Sequence, residues 1–287
     1  MSQLSRRELL AATGAAALST IVGPAIAAEG HRVAGRLKQS VSRWPFERVP
    51  FDEFCRAAAD IGLVAIDLLD APDWPRVRDY GLVCSMGNPT DRDDFIERGF
   101  NDRSNHALLL NELEAAIPLA KQHGVPSVIT MFGNRDGRSD GDAMAACIEG
   151  LRHIAPLAEE HGITVCVELL NSKVGHIGYQ GDRTWFGVEV VDGVGSPRVK
   201  LLYDIYHMQI MEGDVIRTIQ DNIQHIAHFH TGGVPGRHEL DGTQELNWRA
   251  IATAIADLDF TGYVAHEFVP TRDPLTSLRE AFDVCNV

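Results

Sequence analysis

Short apolar and β-branched runs alternate with longer helical patterns along the chain from residue 35 onwards. The runs at 127–131 and 164–169 are examples. Such alternation predicts a series of parallel β-α-β units. The pattern places eight strands, at 37–41, 64–68, 82–86, 127–131, 164–169, 200–204, 226–230 and 262–267.

Apolar residues at helical spacing fill the intervals between these strands. They predict helices at 51–60, 74–80, 105–122, 140–160, 185–193, 214–222, 247–257 and 274–283. Eight strands and eight helices in about 250 residues predict an α/β fold, the (β/α)8 TIM barrel, as a single domain over residues 29–287. A doubly wound open sheet is the alternative, and the lack of a glycine-rich phosphate loop after the first strand disfavours it.

Two of these units resemble each other in sequence. Segment 117–125 recurs as 155–163, each with a proline near the end of a helix and then a glycine. The glycines, Gly124 and Gly162, suit the left-handed conformation that ends many helices. This similarity agrees with a barrel built from equivalent units.

The first 28 residues have the composition of an export signal. Arg6 and Arg7 precede a weakly apolar, alanine-rich run that ends at Ala27 in a small-residue cleavage site. This order resembles a twin-arginine signal, and it predicts export by the Tat machinery to the periplasm or beyond, with residues 1–28 as the signal peptide. An amphipathic start with two chance arginines is the alternative. No other stretch approaches the roughly 18 apolar residues of a membrane span.

The charge and cysteine content narrow the function classes. Against 26 Lys and Arg the chain has 40 Asp and Glu, a net charge of −14, which disfavours binding to nucleic-acid phosphates. Its five cysteines show no Cys-x-x-Cys spacing, so the sequence indicates neither a disulfide framework nor a zinc knuckle. We expect the cysteines to be small buried apolar residues.

Ionisable residues stand at the ends of four consecutive predicted strands: Glu168, Asp204, His230 and Glu267. In a barrel of this type the carboxyl ends of all strands meet at one face. Converging carboxylates in an apolar interior are costly unless a cation compensates them. These residues therefore predict a divalent metal site. The oxygen-rich set favours Mn²⁺, Mg²⁺ or Co²⁺, and Zn²⁺ remains open. For any one member alone, a helix cap or a salt bridge is the alternative role.

Segment 203–213, which reads Tyr-Asp-Ile-Tyr-His-Met-Gln-Ile-Met-Glu-Gly, resembles the signature of hydroxypyruvate isomerases. These enzymes lie within the sugar isomerase/epimerase superfamily of xylose isomerase-like TIM barrels, which also holds ketose 3-epimerases and endonuclease IV. Further similarity runs through 226–230, Arg237, 245–248 and 262–267, and it is strongest between 164 and 270.

The resemblance implies a metal site made of Glu168, Asp204, His230 and Glu267, with the two glutamates also acting as acid and base catalysts. It further implies that His207 and Arg237 bind substrate. Hydroxypyruvate isomerases often carry Gln where this chain has His230, whereas ketose 3-epimerases carry His. The resemblance therefore leaves the substrate more open than the mechanism.

Other candidates follow from position alone. His228 shares a strand face with His230, so it either supports the site or contacts substrate, with a buried core histidine as the alternative. Asn171 lies just beyond Glu168 and is a candidate substrate contact, and Arg43 and Trp44, in the loop after the first strand, are weaker pocket candidates. For all three, a polar surface position is the alternative. We expect His266 to point towards the helices.

The leading hypothesis is a metal-dependent isomerase of small hydroxy-carbonyl compounds that works through an enediolate, most like the conversion of hydroxypyruvate to tartronate semialdehyde. A ketose 3-epimerase or isomerase, or a 3-keto-sugar lyase, would use the same metal and glutamates. An endonuclease would need a basic DNA-binding face. The non-enzymatic alternative is an exported sugar-binding barrel. The expected partner is a small molecule, and a homo-oligomer is left open.

Overall fold

The structure, a computed structural model, describes residues 35–287. Eight strands form one sheet in which all neighbours are parallel, in the order β3-β2-β1-β8-β7-β6-β5-β4. Their bounds are β1 Lys38–Ser42, β2 Ala65–Asp67, β3 Val83–Cys84, β4 Ser127–Met131, β5 Thr164–Leu169, β6 Val199–Asp204, β7 Ile226–Thr231 and β8 Tyr263–His266. The predicted strands are confirmed, and those at 127–131 and 164–169 keep their predicted bounds.

Gly87, just beyond β3, joins the two edges of the sheet. It bridges Leu69 on one side and Val128 on the other, and its N–H donates to the carbonyl of Ser127 over 2.9 Å. A Cβ at this position would lie 2.5 Å from the buried ring of Trp74, so only glycine fits. The sheet therefore closes, and the predicted (β/α)8 barrel is confirmed.

Helices surround the barrel, and most follow the predicted pattern. They are α1 Phe51–Ile61, α2 His106–His123, α3 Asp140–His161, α4 Thr184–Val194, α5 Ile205–Met211, α6 Val215–Asn222, α7 Trp248–Ala256 and α8 Pro274–Cys285. As expected, α2 and α3 contain a proline and end at Gly124 and Gly162, whose φ angles are 71° and 68°.

Two helical segments differ from the prediction. The helix expected at 74–80 is present as a 3-10 helix, Arg76–Tyr80, and a second 3-10 helix, Ala71–Asp73, precedes it. Pro75 lacks the N–H group that would donate to the carbonyl of Ala71 if the two segments formed one α-helix. Helix α5, by contrast, was not predicted. It begins immediately after β6, in the interval between the predicted strand at 200–204 and the predicted helix at 214–222.

The core lies between the sheet and the surrounding helices. Every residue of β4 and β5 is buried, as a parallel sheet covered on both faces requires. All five cysteines are buried free thiols, which confirms the expectation that they serve as small apolar residues. Within residues 35–287, no helix is both long and apolar enough to cross a membrane. The predicted signal at 1–28 lies outside the described residues.

Candidate active site and metal centre

Glu168, Asp204, His230 and Glu267 converge at the carboxyl end of the barrel. Their four ligand atoms all lie within 4.8 Å of one another, and all four residues are buried. Parallel pairing brings them together: Asp204 of β6 stands opposite His230 of β7, and the N–H of Glu267, just after β8, donates to Thr231 over 2.9 Å. These residues from four neighbouring strands can hold a metal ion.

The imidazole of His230 lies at the centre of this group. Its Nδ1 is 2.7 Å from Oε2 of Glu267, 3.1 Å from Oε1 of Glu168 and 4.0 Å from Oδ2 of Asp204. Burial acts to lower the pKa of His230, but the surrounding carboxylates, Glu267 foremost, raise it well above its ordinary value. The negative field that stabilises a proton here also stabilises a cation.

Arg237 lies against two of the carboxylates. Its Nη2 donates to Oδ2 of Asp204 over 3.0 Å and to Oε2 of Glu267, and its Nε donates to the Glu267 carbonyl over 3.1 Å. The guanidinium carbon lies 5.4 Å from the centroid of the Trp44 ring and 5.3 Å from that of the Tyr206 ring. Although burial opposes its charge, Glu267 and Asp204 raise the pKa of Arg237, so it remains charged.

The pKa values of Asp204 and Glu267 shift in opposite directions. Burial raises the pKa of Asp204 to about 7, and Arg237 offsets only part of this effect. Burial also acts to raise the pKa of Glu267, but Arg237 and His230 outweigh it and hold the pKa well below its ordinary range. Three acidic groups beside one imidazole suit a hard divalent cation, so the donor set fits the predicted metal.

His207 presents an N–H group to the site. Its Nδ1 accepts a hydrogen bond from the backbone N–H of Asn171 over 3.0 Å, so the ring proton lies on Nε2. That Nε2 is buried 3.5 Å from Oδ2 of Asp204 and has no hydrogen-bond partner among the described residues. Burial lowers the pKa of His207 well below its ordinary value, which makes it a neutral donor.

The loop after β5 adds a histidine that the sequence reasoning missed. Oδ1 of Asn171 accepts from the N–H groups of Val174 and Gly175, each over 2.8 Å, and this turn places His176 beside the site. The ring of His176 lies 5.3 Å from that of His207. A lone histidine in a polar, glycine-containing loop gave no signal from which its position could be inferred.

Asp67 is the second residue that was missed. It ends β2, and its Oδ2 lies 2.9 Å from Nε2 of His230 while its Oδ1 lies 3.1 Å from Nε2 of His228. Ser85 also donates to this carboxylate. A charged residue inside the otherwise apolar run 64–68 was the signal that could have identified it. His228 lies behind His230 without exposed surface, which favours a supporting role over substrate contact.

Of the remaining candidates, Trp44 contacts the site, whereas Arg43 and His266 point away from it. Trp44 reaches the site, since its indole N–H donates to Oε1 of Glu267 over 2.5 Å. Arg43 turns away and donates to the carbonyls of Phe46 and Val49 over 2.6 and 2.9 Å. His266 also points away, with its Nε2 2.9 Å from Oε1 of Gln39.

Comparison with known proteins gives relatives of similar length. The hydroxypyruvate isomerase of Escherichia coli is 30% identical over 212 residues, which cover 74% of each chain. The 2-oxo-tetronate isomerase of Pectobacterium atrosepticum is 27% identical over 236 residues, 78% of this chain and 88% of the relative. The solved structure of an AP endonuclease, family 2, from Brucella melitensis superposes with a TM-score of 0.76 at 27% identity, over 84% of this chain and 97% of that one.

A family profile covers most of the chain. The profile described as xylose isomerase-like TIM barrel matches residues 74–286, which include β3 to β8 and every residue of the four-residue cluster. The barrel topology and the converging strand ends agree with this match. The chain therefore belongs to the xylose isomerase-like TIM barrel family.

Proposed function

We propose that the protein is an isomerase that moves a carbonyl group between adjacent carbons of a short 2-keto acid, with hydroxypyruvate and tartronate semialdehyde (2-hydroxy-3-oxopropanoate) as the favoured pair. The observation that carries the proposal is the buried cluster in which carboxylate oxygens of Glu168 and Glu267 both lie close to Nδ1 of His230, at 3.1 and 2.7 Å. The relatives named above support the substrate class, since both names denote short 2-keto acids with a hydroxyl group beside the carbonyl.

The reaction requires that one proton leave a carbon and that another reach its neighbour. Glu168 and Glu267 are the carboxylates placed to take and return these protons. The low pKa of Glu267 keeps it ionised at neutral pH, which is the form that accepts a proton. Nε2–H of His207 can donate to a substrate oxygen without first losing a protein partner.

Arg237 supplies the charge that a substrate carboxylate needs. Its hydrogen bonds to Asp204 and Glu267 use only Nε and Nη2. The two N–H groups of Nη1 therefore remain for an anionic ligand, and the planar guanidinium suits a carboxylate. The aromatic rings of Trp44 and Tyr206 lie close to the guanidinium, within range of cation–π attraction.

Glu168, Asp204, His230 and Glu267 would hold the divalent cation, with Mn²⁺, Mg²⁺ or Co²⁺ favoured. When bound, such a cation would withdraw negative charge from the carbonyl and hydroxyl oxygens of the substrate. All four residues are buried, and the lower local dielectric constant strengthens these electrostatic effects.

A ketose 3-epimerase is the second candidate, and His230 is the observation that favours it. Ketose 3-epimerases carry histidine at this position, as described for the sequence resemblance above. The same two glutamates would then exchange a proton on opposite faces of one carbon instead of between two carbons. The net charge of −14 argues against a nuclease that binds DNA.

Deuterium exchange tests this proposal. The metal-loaded protein is incubated in D₂O with hydroxypyruvate, other short 2-keto acids and ketoses, beside protein-free samples, and products are analysed by NMR. We expect deuterium at carbon in a 2-keto acid and its isomer, loss of this activity with chelator, and recovery with Mn²⁺, Mg²⁺ or Co²⁺. Exchange with ketoses alone would favour the epimerase. Binding without any exchange would favour the sugar-binding barrel, and full activity in metal-free protein would exclude a metal-dependent reaction.

A further inference from the structure

We propose that Asp67 is a positioning residue that fixes the tautomer and orientation of His230, so that Nδ1 faces the metal site with a free lone pair. The proposal rests on the metal-dependent function proposed above and assigns a role to a residue on the opposite side of His230 from the carboxylate cluster. Asp67 and His230 are 163 residues apart in the chain, yet their side chains are in direct contact.

The two nitrogens of His230 face different groups. Nδ1 lies 2.7 Å from Oε2 of Glu267 and 3.1 Å from Oε1 of Glu168, whereas Nε2 lies 2.9 Å from Oδ2 of Asp67. A neutral imidazole has one N–H donor and one acceptor nitrogen. Because an ionised Asp67 can only accept, it holds the proton on Nε2 and leaves the lone pair on Nδ1, where a metal ligand needs it.

The position of Asp67 is itself closely fixed. The residue is fully buried at the end of β2, where Ser85 donates to its Oδ1 and Nε2 of His228 lies 3.1 Å from the same oxygen. A buried carboxylate is costly unless its oxygens have partners, and the hydrogen bonds with Ser85 and His230 supply them. The carboxylate therefore has one anchored oxygen and one oxygen that contacts His230.

A second metal ion is the competing explanation, because ligand atoms of Asp67, His228 and His230 also lie within 4.8 Å of one another. The distances favour a hydrogen bond, since 2.9 Å between Nε2 of His230 and Oδ2 of Asp67 is the ordinary length of N–H···O. Binding an ion on each side of His230 would also require its ring to lose both nitrogen-bound protons. One ion at Nδ1 and one hydrogen bond from Nε2 require the loss of only one ring proton.

The test measures metal binding and the tautomer separately from activity. Calorimetric titration of metal-free protein with Mn²⁺ compares the wild type with Asp67→Asn and Asp67→Ala. We expect both variants to bind Mn²⁺ about 10- to 100-fold more weakly, the range for loss of a group that orients a ligand. Glu239→Gln is the matched control, since it also alters a buried, hydrogen-bonded carboxylate, but one outside the site, and it should leave Mn²⁺ affinity unchanged.

Long-range ¹H–¹⁵N spectra of histidine-labelled, Zn²⁺-loaded protein report the tautomer, with His230→Gln used for assignment. We expect the proton on Nε2 in the wild type and a changed pattern in Asp67→Asn, because an amide can turn its NH₂ group towards the ring. Ser85→Ala is a second variant that keeps the carboxylate and removes one anchor. It should weaken Mn²⁺ binding several-fold and leave the proton on Nε2.

Three results would overturn the proposal. They are wild-type Mn²⁺ affinity in a folded Asp67→Asn protein, unchanged affinity in Ser85→Ala, and two ions per wild-type chain with only one in Asp67→Ala. A wild type that binds one ion but exchanges no substrate proton would contradict the proposed reaction, while the tautomer and affinity data would still support the role of Asp67.

Discussion

Asp204 and Glu267 both accept hydrogen bonds from Arg237, yet their pKa values move in opposite directions. Burial and the repulsion of neighbouring carboxylates dominate the pKa of Asp204 and raise it to about 7. Glu267 receives more compensation, because it contacts Arg237, His230 and the indole N–H of Trp44. The number of donors around each carboxylate therefore separates two acidic groups that the sequence alone treats as equivalent.

At the level of single residues, Glu168→Gln and Glu267→Gln should each lower kcat by about 10²- to 10⁴-fold, since a positioned acid or base is lost. The amide oxygen still offers a weak ligand, so metal content should fall less than activity. Steady-state kinetics with the substrate identified by deuterium exchange, together with metal analysis of each variant, measure the two effects.

Glu280→Gln is a suitable control for these variants, because Glu280 lies on α8 in an exposed ion pair with Arg272. It should retain wild-type turnover. Turnover near the wild-type rate in either site variant, with metal bound, would contradict the two-glutamate mechanism.

Among the elements, the junction of β6 and α5 shows how one residue shapes the site. Asp204 ends the strand and caps the helix, because its Oδ1 accepts from the N–H of His207 over 3.1 Å. The cap sets where the helix begins and so places His207 in its first turn. Since Oδ2 of Asp204 faces Arg237, one carboxylate fixes the positions of two candidate substrate contacts.

A different carboxylate links the loop after β7 to the N-terminal part of α8. Oε1 of Glu239 accepts from the Thr271 N–H over 2.8 Å and from Ser277 Oγ over 3.0 Å, and Oε2 accepts from Thr271 Oγ1 over 2.9 Å. Burial acts to raise the pKa of Glu239, but these hydrogen bonds outweigh it and lower the pKa. The ionised form therefore stabilises the folded state.

Glu239→Gln should lower the free energy of unfolding at pH 7 by about 1.5–3 kcal/mol, the range for a hydrogen bond to a charged group. Because the folded-state pKa lies below the unfolded value of about 4.3, this stabilisation is complete above that pH and is lost as the pH falls through the folded-state pKa. Urea unfolding at intervals from pH 7 to pH 3.5 should show wild type and variant converging at the acidic end.

Glu280→Gln again provides the comparison, since it removes an exposed carboxylate of the same region. Glu280→Gln should lower the free energy of unfolding by less than about 1 kcal/mol. If the free energy of unfolding of Glu239→Gln differed from that of the wild type by a constant amount across this pH range, the carboxylate charge would not be the source of the stabilisation.

At the scale of the whole molecule, we propose that the barrel is exported. The support is the sequence at 1–28, in which Arg6 and Arg7 precede an alanine-rich apolar run and a small-residue site. Arg6→Lys combined with Arg7→Lys should abolish export and leave a folded precursor in the cytoplasm. Cell fractionation followed by immunoblotting measures this, with Arg36→Lys in the barrel as control. Export of the double variant at the wild-type level would show that the arginine pair is incidental.

Local sequence patterns were sufficient to predict the alternation of strands and helices and where the strands end. Strands β4 and β5 keep their predicted bounds, because hydrophobic periodicity is set within short windows of the chain. Knowing that parallel strands end at one face was then enough to bring Glu168, Asp204, His230 and Glu267 together. Helix α5 and the 3-10 helix Ala71–Asp73 escaped this reasoning because caps and prolines override periodicity locally.

Tertiary structure alone decided what surrounds these four residues. Closure of the barrel brings Asp67 of β2 into contact with His230, although the two residues are 163 positions apart in the chain. It also brings Trp44 and Arg237 into contact with Glu267. No local pattern encodes such contacts, because they depend on strand stagger and on the paths of long loops. Local patterns thus identify the central residues, whereas tertiary contacts provide the partners that control their charge, tautomer and orientation.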